Sequence, residues 1–166
     1  MSTDAAATKE LYWAGFDLGG TKMLAKIFDS QYKTLGKKRR KTKGHAGVDL
    51  GLERMLQTIH LALEEAGLKP DQLAGIGVGC PGPLDLKKGI IFEAPNLGWY
   101  DVPVRDVLQK EFGCPVVICN DVDAGVFGAT AAKGELVIFL ALTVDTQDAD
   151  VAGMMMAAGV DAAGNL

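Results

Sequence analysis

At 166 residues, 48% hydrophobic and 23% charged, the chain has the length and composition of one globular domain with a full core. Its net charge of −4 argues against a general nucleic-acid binder. No stretch approaches the ~20 apolar residues of a membrane span. Residues 1–10 are polar and alanine-rich, without the apolar segment of a secretory leader, and are expected to form a disordered lead-in.

Two apolar runs predict strands over 11–17 and 22–29. Between them stands Asp17-Leu18-Gly19-Gly20-Thr21-Lys22, which reads in two ways. It is either an ordinary hairpin whose glycines satisfy turn geometry, or a phosphate-type turn. In the second reading, successive amides of Gly19 and Gly20 form an anion-binding concavity, with Thr21 and Lys22 as added donors. Asp17 at the strand end could then hold a metal ion beside a polyphosphate. A turn at 29–31 leads to a third strand over 32–43, completing an antiparallel meander. Lys37, Lys38, Arg39, Arg40, Lys41 and Lys43 read as a solvated edge strand guarded by charge rather than a phosphate patch, because no aromatics are interleaved. His45 falls in a loop as an exposed residue.

From Val48 to Ala66 the apolar period becomes helical, with Leu52, Met55, Leu56, Ile59 and Leu63 on one face and Gly67 as the stop. His60 reads as a boundary residue of this helix. A buried strand over 73–80 follows, with glycine at positions 75, 77 and 79, which clears one face for close approach by another element or a ligand. Pro81-Gly82-Pro83-Leu84-Asp85 is a rigid turn, 88–92 a short strand and 94–99 a loop. Asn96 in that loop either caps a turn or, as donor and acceptor together, recognises a sugar hydroxyl. A helix over 104–112 and a short strand over 116–119 lead to Asn120-Asp121 at a carboxyl strand end, then to a small-residue helix over 124–132 and a strand over 136–142. Asp121 is either a helix cap or a general base. Cys80, Cys114 and Cys119 have no disulfide or metal spacing and read as buried reduced thiols of a cytoplasmic protein. Two histidines leave a zinc site short of ligands.

The segments Asp17–Lys22, Gly79-Cys80-Pro81-Gly82-Pro83-Leu84-Asp85, Pro95-Asn96-Leu97-Gly98-Trp99 and Asn120-Asp121, in that order and spacing, resemble the signatures of the ROK family of bacterial sugar kinases and sugar-responsive repressors. The resemblance implies an α/β, ribonuclease-H-like (actin-like ATPase) lobe over 11–142. Its mixed sheet would have about five strands, an antiparallel three-strand meander followed by parallel strands, with helices on both faces. It implies ATP-dependent phosphorylation of a hexose or N-acetylhexosamine, with glucose as the default. Asp17, Gly19, Gly20, Thr21 and Lys22 would hold the ATP phosphates, with Asp17 near Mg²⁺. Gly82, Asn96, Asn120 and Asp121 would line the sugar site, with Asp121 taking the proton of the attacking hydroxyl. No nucleic-acid or membrane partner is implied, and a homodimer is left open.

The ending departs from that pattern. Where such kinases place a second glycine-rich turn, Thr143 to Asp150 contain no glycine, and 143–166 stand as an atypical tail in place of a second lobe. The expectation is an incomplete kinase that binds ATP poorly and turns over little. The alternatives are a sugar-responsive regulator of the same family and a non-catalytic interaction remnant. Only about ten residues precede the first strand, too few for a helix-turn-helix, which favours the kinase.

Overall fold

The computed structural model describes residues 10–120. The predicted lead-in, Asp121, the helix over 124–132, the strand over 136–142 and the tail lie outside the described residues. Ten elements follow in chain order: β1 (Tyr12–Leu18), β2 (Lys22–Phe28), β3 (Thr34–Lys41), α1 (Val48–Ala66), β4 (Leu73–Cys80), β5 (Leu84–Asp85), β6 (Ile90–Ala94), β7 (Trp99–Val102), α2 (Val104–Phe112) and β8 (Val116–Asn120). Five strands form a mixed sheet in the order β3-β2-β1-β4-β8, and β5-β6-β7 form a second, three-stranded sheet. The meander β1–β3 is antiparallel, while β4 and β8 run parallel to β1. This is the mixed α/β sheet that the sequence implies.

Alternation sets the two faces of the large sheet. Phe16 and Leu18 of β1 share a face with Met23 and Ala25 of β2 and with Val78 of β4, and all five are buried. The helices cover that face. Thr58 of α1 donates to the Met23 sulfur at 3.3 Å, and the His60 and Phe112 rings of α1 and α2 meet at 4.9 Å between centroids. Val48–Ala66 and Val104–Phe112 agree with the sequence reading, and both helices end at glycines in the left-handed region, Gly67 (φ 70°) and Gly113 (φ 65°). Among the described residues no helix is long and apolar enough to cross a membrane.

Two strand expectations change. The third strand shrinks from 32–43 to Thr34–Lys41. Its start is consumed by an Asx-type turn in which the Asp29 carboxylate accepts the Gln31 and Lys33 amides, each at 2.9 Å, with Tyr32 at φ 60°. The loop expected over 94–99 is a tight hairpin turn over 95–98, after which Trp99 opens β7 by pairing with Ala94. Trp99 is fully buried, and its ring lies against α1 at Gly51, where an added Cβ would stand 2.1 Å from the ring. The small sheet is thereby clamped onto the first turn of α1. That clamp fixes where Asn96, three residues earlier, presents its side chain.

Candidate phosphate and sugar site

Three parallel strands bring their carboxyl ends to one sheet edge, the place where open α/β sheets bind ligands. Asp17 of β1 registers with Gly79 of β4, Gly79 with Cys119 of β8, and Cys80 with Asn120. Asp17 and Asn120 are therefore two strands apart, roughly 10 Å across the sheet. Asp17 lies half-buried on the face opposite the helices. The glycine rhythm of β4 falls on that same face, and at Gly75 it makes room for an aromatic ring. An added Cβ there would meet the Trp13 ring at 3.1 Å.

The β1–β2 turn is held from outside. Its Gly19 amide donates to the Lys22 carbonyl at 3.0 Å. Thr42, fully buried just beyond β3, donates its hydroxyl to the Gly19 carbonyl at 2.7 Å and its amide to the Thr21 carbonyl at 2.8 Å. The Gly20 and Thr21 amides have no hydrogen-bond acceptor among the described residues. Two successive amides left open in a glycine turn are the donor set of an anion cradle.

Asn96 reaches this turn from the small sheet. It sits exposed at the tip of the β6–β7 hairpin, closed by bonds from the Leu97 amide to Ala94 (2.9 Å) and from the Gly98 amide to Pro95 (3.2 Å). The buried Leu97 and Trp99 anchor the tip. An added Cβ at Gly20 would lie 3.0 Å from the Asn96 amide nitrogen, so the phosphate-type turn and the asparagine are in contact. Gly20, Thr21 and Asn96 line a cleft of ≈ 850 Å³ together with Lys41, Lys43 and His45. No carboxylate among the described residues lines it, so its field favours an anion.

The remaining expected site residues form a second group. An added Cβ at Gly82 would stand 3.1 Å from the Asn120 side-chain nitrogen, which puts the loop after β4 against the end of β8. Lys22 is exposed at the start of β2 and registers with Lys41, outside the cleft lining. Asp121 follows Asn120 directly and lies outside the described residues. A single carboxylate beside a cradle of amides suits Mg²⁺, which keeps its waters and binds through one or two carboxylates plus substrate phosphates. Asp17 fits that use, and a cage built wholly of protein ligands is not required.

Sequence reasoning missed Thr42, Lys41, Lys43 and the placement of His45. The basic run does form an edge strand, since β3 ends the sheet. Alternation then divides it. Arg40 turns to α1 and donates to Gln57 at 3.0 Å, whereas Lys41 and Lys43 stand at the cleft. His45, expected as an exposed loop residue, is exposed and also faces the cleft. His60 bridges the helices, its Nε2 lying 2.7 Å from the Glu111 carboxylate. Among the described residues Cys80, Cys114 and Cys119 form no disulfide, and burial pushes the Cys114 thiol up to about 11.

Open turn amides and an asparagine side chain share one cleft in an α/β domain, a set of donors that suits an anionic or small polar ligand. The chain belongs to the ROK family, which it matches over residues 13–146. It is 33% identical over 115 residues to a glucokinase of Thermotoga maritima, covering 69% of this chain and 35% of that enzyme. It is 40% identical over 80 residues to a putative xylose repressor of Caldicellulosiruptor sp., covering 46% of this chain and 20% of the repressor. Among solved structures it resembles the ROK hexokinase of Thermus thermophilus (TM-score 0.62, 34% identity, 71% of this chain and 38% of that one). It also resembles a ROK glucokinase of Streptomyces griseus in complex with glucose and AMPPNP (TM-score 0.60, 27% identity, 72% of this chain and 35% of that one). The chain thus spans about a third of the length of the glucokinases it matches.

Proposed function

We propose that residues 11–142 are the first lobe of a cytoplasmic ATP-dependent sugar kinase acting on a hexose, with glucose as the first candidate. The observation that supports this reading is the contact between Gly20 and Asn96, which brings the open turn amides and an asparagine amide into one cleft. The likeness to glucokinases, one of them bound to glucose and AMPPNP, supports it.

In this reading the open amides of Gly20 and Thr21 bind phosphate oxygens, with Gly19 shaping the turn and Lys22 adding positive charge at its edge. Asp17 would hold Mg²⁺, which supplies charge neutralisation on the phosphate oxygens. Asn96 and Asn120 orient the sugar by its hydroxyls, with the Gly82 loop as one wall. Asp121 accepts the proton of the attacking hydroxyl as that oxygen bonds to the γ-phosphorus and the bond to the ADP oxygen breaks. Phosphoryl transfer needs positioning and neutralisation more than covalent chemistry, so one carboxylate within hydrogen-bond reach of the hydroxyl suffices as the base.

The test is hexose-dependent ADP release from Mg·ATP at high protein concentration, beside Asp121→Asn. Release should depend on the hexose and should vanish in the variant. The identity to a xylose repressor supports a second reading, a sugar-responsive regulator. Pentose or hexose binding with no ADP release, unchanged in Asp121→Asn, would favour the regulator.

A further inference from the structure

A two-residue hairpin turn normally closes by two reciprocal bonds between its flanking residues. In the β1–β2 turn only one is made. Gly19 N–H donates to Lys22, but the return bond from the Lys22 amide to the Gly19 carbonyl is missing. That carbonyl is taken by the Thr42 hydroxyl at 2.7 Å, from a residue 23 positions away in sequence. The next free carbonyl, Thr21, is taken by the Thr42 amide at 2.8 Å. Thr42 is fully buried, so neither bond competes with water.

We propose that Thr42 is a positioning residue for phosphate: by occupying the Gly19 and Thr21 carbonyls it keeps the Lys22 amide from closing the turn, so that this amide stands open beside those of Gly20 and Thr21 to a phosphate oxygen. The inference rests on reading this turn as the phosphate site. Thr42 touches no ligand in this scheme. Without the hydroxyl, the Gly19 carbonyl becomes available to the Lys22 amide and the cradle relaxes toward the closed turn.

The experiment is calorimetric titration of Mg²⁺-tripolyphosphate into the chain and into Thr42→Val and Thr42→Ser. Valine keeps the shape and the backbone bond but removes the hydroxyl; serine keeps the hydroxyl. Loss of one buried hydrogen bond should weaken tripolyphosphate roughly tenfold in Thr42→Val. Thr42→Ser should restore the affinity to within about twofold, and hexose affinity should not change in either. Equal tripolyphosphate affinity in wild type and Thr42→Val overturns the inference while leaving the phosphate site standing. No binding by the wild type overturns the phosphate reading and the inference with it. Should Thr42→Val fail to fold, amide exchange in the wild type decides. Gly20 and Thr21 must exchange fast in the free chain and slowly with tripolyphosphate, with Thr42 slow in both. Protection of the Lys22 amide in the free chain, the mark of a closed hairpin, contradicts the proposal.

Discussion

Gly20 and Asn96 sit in turns of two different sheets, yet a Cβ on the glycine would stand 3.0 Å from the asparagine's amide nitrogen. The contact joins the two halves of the cleft and makes the first prediction. Gly20→Ala should leave stability within about 0.5 kcal/mol, because Asn96 is exposed and its amide can swing aside. Hexose binding should weaken roughly three- to tenfold as the amide loses its position. Calorimetry on the folded variant, with a urea midpoint beside it, separates the two effects.

The clamp between Gly51 and Trp99 should respond in the opposite sense. Alanine at position 51 would drive a methyl to within 2.1 Å of a fully buried ring. Overpacking of this kind costs about 1–3 kcal/mol. Gly51→Ala should lower the unfolding free energy by that amount, seen as a lower urea midpoint, and alter Trp99 fluorescence, and an unchanged midpoint would mean the small sheet is not held on α1 through Trp99.

Cys114 carries a pH prediction. Burial raises its thiol from the ordinary 9.0 to about 11, so the folded state holds a proton that the unfolded state releases. Between those values the unfolded chain binds fewer protons, and stability therefore falls as pH rises. Cys114→Ala should lessen that alkaline loss. At pH 8, iodoacetamide should label the half-buried Cys119 before the buried Cys114, with the order lost in urea.

The contact between His60 and Glu111 ties α1 to α2 at 2.7 Å, but both side chains are about 40% exposed. Solvent screening limits such a pair to under about 1 kcal/mol. A double-mutant cycle with His60→Ala and Glu111→Ala should return a coupling in that range, falling with added salt.

Much of the fold is legible in the sequence because its signals are local. The 3.6-residue period from Val48 to Ala66 and the glycines that stop both helices act within a few residues of the structure they set. The parallel strands announce themselves as short apolar runs between turns. β5 and β7 are harder, at two and four residues, and no periodicity can be read from so few. The candidate site is less legible still, because its contacts are long-range. Thr42 sits inside a run of lysines and arginines and looks like edge-strand decoration until the strand register aligns it with the turn. The turn at Gly19-Gly20, even on the local sequence, takes two of its bonds from that distant residue.

The measurement closest to the central claim is a backbone amide titration of the chain by NMR, with glucose and with Mg·ATP added separately. One shared cleft predicts saturable shifts at Gly19–Lys22 with Mg·ATP and at Asn96, Gly98 and Asn120 with glucose, with Gly20 responding to both ligands. Glucose shifts that miss Asn96 and Gly20, or Mg·ATP shifts that miss the turn, would contradict a common site for phosphoryl donor and sugar.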